Sequence, residues 1–155
     1  MSIKSTLAIP FAKQVRKQVY RWANNPHKTQ EKVFKYLISR AKNTAFGKDC
    51  DFKNIKTYGD FKSRVKINDY EALRPYVDRV VAGEKDVLWT GKPLYFAKTS
   101  GTTSGAKYIP ITKESMPTHI KAARNALLLY IAETKDASFV DGKMIFLQGS
   151  PVLED

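Results

Sequence analysis

The sequence predicts an α/β fold in which N-terminal helices precede part of a layered sheet domain. Two patterns support this prediction. Up to about residue 85, apolar residues recur every three to four positions, which is the spacing of amphipathic helices. Beyond that point, short β-prone segments bounded by turn residues flank one long helical segment. The length of 155 residues and a hydrophobic content of 43% suit about one domain with a folded core.

An Asn-Pro turn separates the first two predicted helices. The first runs from Ile9 to about Arg21, where apolar residues keep helical spacing. Thr29 is the predicted N-cap of the second, because its hydroxyl can accept a hydrogen bond from a backbone N–H of the first turn. Gly47 is expected to end the second helix, since glycine readily adopts the left-handed conformation of a C-terminal stop.

Two shorter helices are predicted before the sheet. Thr57 and Asp69 are their N-caps, and Gly83 stops the second of them. Pro75 has no backbone N–H, so we expect it either to occupy a first turn or to break this helix into two pieces.

Strand-like segments follow at 86–89, 93–98 and 107–112. A long helix with Thr112 as its cap then leads to the apolar run 143–151, which reads as a buried strand. Because a buried strand needs a neighbour on each edge, we expect this chain to be the N-terminal part of a longer protein. The long helix is apolar nearly all round, as in a helix buried on two sides.

The positive charge is concentrated in the first part of the chain. Residues 1–85 carry 19 Lys and Arg against 8 Asp and Glu, whereas residues 86–155 carry 8 against 7. We therefore divide the chain into a basic helical segment, 1–85, and a second segment, 86–155, that forms the start of an α/β subdomain. The basic face suits nucleic acid, anionic lipid, an acidic ligand or plain solvation. No specific nucleic-acid partner is predicted, because the aromatics of these helices are better used in a core.

The remaining polar signals are weak. Cys50 is the single cysteine and is interpreted as a small core residue in a reducing compartment. His27 and His119 have no partner at metal-ligand spacing, so no protein metal site is predicted. No apolar run reaches the ~18–20 residues of a membrane span. A cytoplasmic location is the expectation.

One stretch, Lys98–Thr112, is unlike the rest. This predicted phosphate loop, residues 98–112, holds seven hydroxyl side chains, two glycines and two lysines. Its glycines permit positive φ, so that successive N–H groups can converge on an anion. Phosphate fits such a loop well because it offers several acceptor oxygens. The predicted phosphate-binding residues are Ser100, Gly101, Thr102, Thr103, Ser104, Gly105 and Lys107, with Thr99 framing the loop.

Two other phosphate motifs are excluded by spacing. A Walker A loop needs four residues between its first glycine and a Gly-Lys pair. Here only three residues lie between Gly101 and Gly105, and Ala106 stands between Gly105 and the lysine. A dinucleotide fingerprint needs Gly-x-Gly-x-x-Gly at the start of a helix. Here Tyr108–Ile111 disfavours a helix, so a strand–loop–strand unit is predicted.

The stretch TSGTTSGAK resembles the phosphate-binding motif of adenylate-forming enzymes, the acyl-CoA synthetase and luciferase superfamily. Its frame, RPYVDRVVAGEKDVLWTGKPLYFAKTSGTTSGAKYIPIT, is similar to that of the GH3 family of acyl acid–amido synthetases. The resemblance extends to TQEKVFKYLISRAKNTAFGKD and KMIFLQGSP. It implies an incomplete portion of an adenylate-forming N-terminal domain, in which residues 86–155 would be the start of the α/β ATP-binding subdomain.

The resemblance implies a two-step reaction that uses ATP and Mg²⁺. A carboxylic acid becomes an acyl-adenylate with release of pyrophosphate, and an amine or amino acid then takes the acyl group. It also implies that Arg124, on the long helix, faces the acyl acid, although an exposed surface arginine is the plainer interpretation. The family's other substrate-binding segments have no counterpart here, so we expect this chain alone to be inactive and to self-associate.

Two alternatives stay open. One is a basic module that binds a nucleic-acid or lipid phosphate through the loop. The other is a relative that forms acyl-CoA with a thiol acceptor. The residues do not identify the acid or distinguish an amine acceptor from a thiol.

Overall fold

The computed structural model describes residues 3–99, 106–143 and 145. These residues are mostly helical and include one small antiparallel sheet, which confirms the α/β prediction for an N-terminal portion. The helices are α1 (Ile3–Ala23), α2 (Pro26–Ala41), α3 (Ala45–Asp49), α4 (Tyr58–Arg64), α5 (Tyr70–Val81) and α6 (Met116–Thr134). The strands are β1 (Tyr95–Thr99) and β2 (Lys107–Ile111), and short 3-10 helices lie at Phe52–Asn54 and Ser138–Asp141.

The chain forms two compact units. Unit 1 combines Met1–Asn24 with Lys121–Asp155, and unit 2 is Asn25–Ile120. The division predicted at residue 85 rests on charge and stays a prediction.

The core of unit 1 lies between α1, α6 and the segment after α6. It is formed by Ala12, Val15, Leu128, Ile131, Ala132 and Ala137. Apolar residues at three- and four-residue spacing bring one face of each helix into this core. Other apolar residues of α6 are exposed, including Leu127 and Tyr130 at 40% and 49%, so the predicted burial of α6 on two sides is wrong.

The core of unit 2 is aromatic. Buried Ile38, Ala41, Phe52 and Ile55 are surrounded by half-buried rings. The Phe46 and Phe52 rings meet edge to face with centroids 5.8 Å apart, which is a favoured aromatic geometry. Cys50 is half-buried against this cluster, and burial together with Asp49 raises the pKa of its thiol.

The second helix differs from its prediction at both ends. α2 begins at Pro26, whose fixed φ suits the first helical position, so Thr29 lies inside the helix and is not its cap. α2 ends at Ala41, and Thr44 caps a separate helix, α3, by accepting the N–H of Gly47 at 3.0 Å. Gly47 therefore does not stop α2.

The helices α4 and α5 begin as predicted. The Thr57 hydroxyl accepts the N–H of Asp60 at 3.1 Å, and the Asp60 carboxylate accepts the N–H of Thr57 at 2.8 Å, which is a reciprocal capping box. The Asp69 carboxylate caps α5 by accepting the N–H of Ala72 at 2.8 Å. α5 runs unbroken through Pro75, which is its sixth residue, so Pro75 neither occupies a first turn nor breaks the helix, and the prediction is wrong.

The end of α5 is also as predicted. Gly83 has a φ of +89°, and its N–H donates to the carbonyl of Val80 at 3.0 Å. The next N–H, of Glu84, donates to the carbonyl of Arg79 at 3.0 Å. These two bonds form a Schellman motif, in which glycine satisfies the last carbonyls of a helix.

The segment 86–89 was predicted as a strand but forms a closed turn. The carboxylate of Asp86 accepts the N–H of Gly91 at 2.7 Å, while Asp86 itself has a φ of 58°. The carbonyls of Asp86 and Val87 accept the N–H groups of Ala45 and Phe46. The backbone of this segment therefore pairs with α3 rather than with a strand. The strand predicted at 143–151 lies largely outside the described residues.

Candidate functional site

Two paired strands flank the tip of the predicted phosphate loop. β1 and β2 are antiparallel, with Thr99 opposite Lys107 and Tyr95 opposite Ile111. This confirms the strand–loop–strand prediction. The tip of the loop, residues 100–105, lies outside the described residues. Lys107 is the one predicted phosphate-binding residue that the structure places.

Lys107 begins β2 immediately after the loop tip and its neighbour Ala106. Its ammonium nitrogen lies 5.4 Å from the centroid of the Tyr70 ring, within the range of a cation–π contact. The guanidinium of Arg74 lies 5.6 Å from the same centroid. Helix α5 thus brings one aromatic ring and a second cation to the exit of the loop.

The hydroxyl of Tyr70 binds the backbone of β2. It accepts the N–H of Tyr108 at 2.8 Å, and lies 3.5 Å from the carbonyl oxygen of the same residue. The N–H of Tyr108 therefore points away from β1, toward the outer edge of the sheet. Pro110, two residues on, has the same orientation, so its missing donor costs no bond between the strands.

Glu71 partly balances the charge of this cluster. Arg74 donates from Nε and from a terminal nitrogen to the two oxygens of Glu71, at 2.7 and 2.8 Å. This bidentate pair lowers the pKa of Glu71, and the charge of Lys107 lowers it further. Glu71, Arg74 and Lys107 together carry one net positive charge at neutral pH.

Tyr70, Glu71 and Arg74 were not predicted from the sequence as site residues, and Asp69 was predicted only as the cap of this helix. A usable signal was the i, i+4 spacing of Tyr70 and Arg74, which places both on one face of a helix. Their pairing with a residue over 30 positions away could not be read from spacing.

The strand leaving the site leads into α6 through a second capped turn. The N–H of Ser115 donates to the hydroxyl of Thr112 at 3.1 Å, and the N–H of Thr112 donates to the hydroxyl of Ser115 at 2.9 Å. Thr112 thus closes the turn that precedes α6. Because α6 begins at Met116, Thr112 lies three residues before the cap position, and its predicted role as the N-cap of this helix is wrong. Arg40 of α2 pairs with Glu114 in this turn at 3.4 Å.

Arg124, the predicted acyl-acid residue, lies on the unit 1 part of α6. Its side chain is exposed and donates to the amide oxygen of its neighbour Asn125 at 3.3 Å. A role toward the acid stays a prediction.

Unit 2 also carries a groove along α2, here called the lysine groove. Two adjoining cavities of about 320 and 560 Å³ share Phe34, Lys35 and Lys56. Their floor is apolar, and Lys42 and Lys53 stand beside it. Lys35 pairs with Glu31 at 2.5 Å. The complete lining is His27, Gln30, Glu31, Phe34, Lys35, Ile38, Ser39, Lys42, Phe52, Lys53, Ile55, Lys56, Thr57 and Tyr58.

Among the described residues, no group of three or more His, Cys, Asp or Glu side chains is arranged to hold a metal ion. No helix within the described ranges is long and apolar enough to cross a membrane.

Comparison with known proteins identifies the family of this chain. The model of the GH3 family N-terminal domain matches residues 15–150. The indole-3-acetic acid-amido synthetase GH3.15 of Arabidopsis thaliana is 33% identical over 109 residues, which are 68% of this chain and 18% of that protein. The synthetase GH3.2 of the same plant is 30% identical over 102 residues, 64% of this chain and 19% of the relative.

A relative named for a different acyl group is also similar. The jasmonoyl--L-amino acid synthetase JAR4 of Nicotiana attenuata is 25% identical over 126 residues, covering 79% of this chain and 21% of JAR4. The chain thus spans about a fifth of the length of the curated relatives it matches. Because the family model covers most of the sequence, including the predicted phosphate loop, this chain belongs to the GH3 family.

Proposed function

We propose that this chain is the N-terminal part of an acyl acid–amido synthetase. The enzyme would adenylate a carboxylic acid with ATP, release pyrophosphate, and transfer the acyl group to an amine or amino acid. The observation that carries the proposal is the match of residues 15–150 to the GH3 N-terminal domain. The similar proteins GH3.2 and JAR4 are named as an indole-3-acetic acid-amido synthetase and a jasmonoyl--L-amino acid synthetase.

In the proposed first step, a carboxylate oxygen attacks the α-phosphorus of ATP and the bond to pyrophosphate breaks. The role of Ser100–Gly105 would be to hold the triphosphate with backbone N–H and hydroxyl donors. Lys107 follows these residues after Ala106, and its charge would offset that of the phosphates. Arg124 would face the carboxylate of the acid.

Mg²⁺ would lower the repulsion between the phosphate oxygens and the attacking carboxylate. The described part of the chain offers no cluster of ligands for it, so we assign no residue to the metal. Binding of the acyl acceptor, and the full activity, would need the rest of a polypeptide as long as the relatives. We therefore expect this chain alone to be inactive.

The test is acid-dependent exchange of pyrophosphate into ATP by the protein made from the complete gene. A panel of aryl and alkyl carboxylic acids would identify the substrate class. We expect Ser100→Ala and Lys107→Ala each to lower kcat/KM on the order of 10²-fold, as loss of a transition-state donor does. Lys113→Ala, an exposed lysine just after β2, is the matched control. No exchange with any acid, or equal rates in all variants, would contradict the proposal.

The acceptor needs a separate measurement. After adenylation is established, the products formed with a mixture of amino acids and with coenzyme A would be compared by mass spectrometry. Acyl amides are expected. An acyl thioester formed in place of amides would favour the acyl-CoA-forming alternative.

The lysine groove favours a second candidate function, a basic module that binds anions. Its rim carries four lysines and one glutamate, Glu31, beside exposed aromatic surface. Such a module would bind a fluorescent oligonucleotide or anionic vesicles with an affinity that falls steeply with salt. Lys53→Glu combined with Lys56→Glu would then abolish binding, whereas a nucleotide site at the hairpin would be unaffected by this pair.

A further inference from the structure

We infer that Tyr70 is a positioning residue of the nucleotide site: it holds the strand that leaves the loop tip and thereby fixes Lys107. This inference rests on the proposed function, in which Lys107 offsets the charge of the phosphates of ATP. Tyr70 itself would not touch the nucleotide. It would act through the backbone and the charge of β2.

The backbone contact is specific to one peptide group. The N–H of Tyr108 that donates to the Tyr70 hydroxyl, at 2.8 Å, belongs to the peptide bond between Lys107 and Tyr108. A bond to this N–H fixes the plane of the peptide that carries Lys107. Because β1 lies on the opposite side, no strand of the described sheet competes for this donor.

The ring of the same residue contacts the charge of Lys107. The ammonium nitrogen lies 5.4 Å from the ring centroid, so the flexible side chain gains a preferred position over the aromatic face. One side chain thus orients both the main chain of Lys107 and its ammonium group. Arg74, on the same helix, is held in place by its ion pair with Glu71. Of the two cations at the Tyr70 ring, Lys107 is therefore the one whose position depends more on the ring.

Helix α5 provides a rigid base for this contact. Tyr70 is its first residue and follows the cap Asp69 directly. Farther along, Val77 and Val80 are buried at 4% and 6% exposure. A residue between a capped terminus and a buried face has little freedom to move, which is what a supporting residue of a binding site requires.

The test compares two tyrosine hydroxyls on one helix. Tyr70→Phe removes the bond to Tyr108 and keeps the ring over Lys107. Tyr76→Phe is the matched control, because its hydroxyl donates to Asp49 at 2.7 Å and not to the hairpin. In the protein from the complete gene, Tyr70→Phe should raise the KM for ATP in pyrophosphate exchange about threefold to tenfold, the range for loss of one hydrogen bond. The KM for the acid should stay unchanged.

Two further readouts distinguish positioning from general stability. Hydrogen exchange at the amide of Tyr108 should become faster in Tyr70→Phe and not in Tyr76→Phe. In a double-mutant cycle on the KM for ATP, the effects of Tyr70→Phe and Lys107→Ala should be less than additive, because both act through Lys107. Tyr70→Leu, which also removes the ring, should raise the KM for ATP more than Tyr70→Phe does.

The outcomes separate the two hypotheses. If the protein catalyses acid-dependent exchange and Tyr70→Phe behaves like Tyr76→Phe, the positioning role is wrong and the proposed function stands. The positioning role is also wrong, and the proposed function stands, if the Tyr108 amide exchanges equally fast in Tyr70→Phe and Tyr76→Phe. If the unaltered protein neither catalyses exchange with any acid nor binds Mg-ATP in calorimetry, the proposed function fails, and the role of Tyr70 fails with it.

Discussion

A single methyl group at position 47 would collide with the end of α2. A Cβ atom on Gly47 would lie 2.0 Å from the carbonyl oxygen of Ala41, far inside the contact distance of real Cβ atoms. The conflict is with backbone, so no side-chain rotation relieves it. Gly47 is therefore required for close packing of α3 on α2, not for a helix stop.

We predict that Gly47→Ala lowers the free energy of unfolding by about 2–4 kcal/mol, measured by urea denaturation. Gly59→Ala is the control, since its Cβ would meet only the Thr57 hydroxyl oxygen, at an ordinary 3.5 Å. Gly59→Ala should be neutral or stabilise by about 0.5 kcal/mol, because alanine favours a helix. Equal stability of the two variants would show that α3 can shift away from α2.

Asp60 links stability to pH. Its carboxylate accepts the N–H groups of Lys56 and Thr57 at 3.0 and 2.8 Å, and these bonds lower its pKa. Because the folded-state pKa lies below the unfolded one, the stabilisation is present above the ordinary aspartate pKa of about 3.9 and is lost as the pH falls through the folded value.

We therefore predict that Asp60→Asn lowers the Tm at pH 7, and that this difference from the unaltered protein shrinks as the pH falls below about 4. Thermal melts over a pH series measure it. Asp78→Asn on α5 is the control, because the described structure gives the Asp78 side chain no hydrogen bond. A Tm difference for Asp60→Asn that is constant with pH would contradict the linkage.

At the scale of elements, the ends of helices were largely predictable. Thr57, Asp69 and Gly83 act through hydrogen bonds to residues three to five positions away, and such short-range chemistry is visible in a sequence. The predicted cap at Thr29 was wrong because α2 begins three residues earlier, at Pro26, which suits the first helical position. Pro75 failed as a breaker because burial of Val77 and Val80 favours an unbroken helix over the lost hydrogen bond.

The Schellman motif at the end of α5 gives a prediction at this scale. Gly83→Ala should lower the free energy of unfolding by about 1–2 kcal/mol, because alanine is strained at a φ of +89°. Gly83→Asn should lower the free energy of unfolding less than Gly83→Ala does, since asparagine tolerates the left-handed conformation better than alanine. Chemical denaturation of both variants measures the difference. An unchanged free energy of unfolding in both variants would mean that α5 does not end in this Schellman motif.

Long-range partners were not predictable. The segment 86–89 has the composition of a strand, but its carbonyls pair with the start of α3, over 40 residues earlier. The contact of Tyr70 with Tyr108 likewise depends on tertiary structure. The hairpin was predicted because its two strands are close in sequence and its loop is rich in glycine.

At the scale of the whole molecule, charge and exposed apolar surface act in opposite directions. The chain carries a formal charge of +12, which opposes association. Large apolar residues are nevertheless exposed in both units, with Ile3 at 81%, Leu7 at 64% and Ile120 at 63%. Such surfaces favour burial against another copy or another part of a longer protein.

We predict that the purified chain self-associates and that salt strengthens the association, because ions screen the repulsion between copies. Light scattering across a range of protein and salt concentrations measures it. A mass equal to that of one chain at every concentration, in both low and high salt, would refute this prediction.

The composition of unit 1 has a consequence for the order in which the protein folds during synthesis. The ribosome makes α1 first, but the partners of Ala12 and Val15 lie on α6 and beyond, and the whole of unit 2 is made between them. Unit 2 is one continuous stretch and can fold as it emerges. Until α6 is made, the apolar face of α1 stays uncovered, so α1 is a segment of the nascent chain that a chaperone could bind.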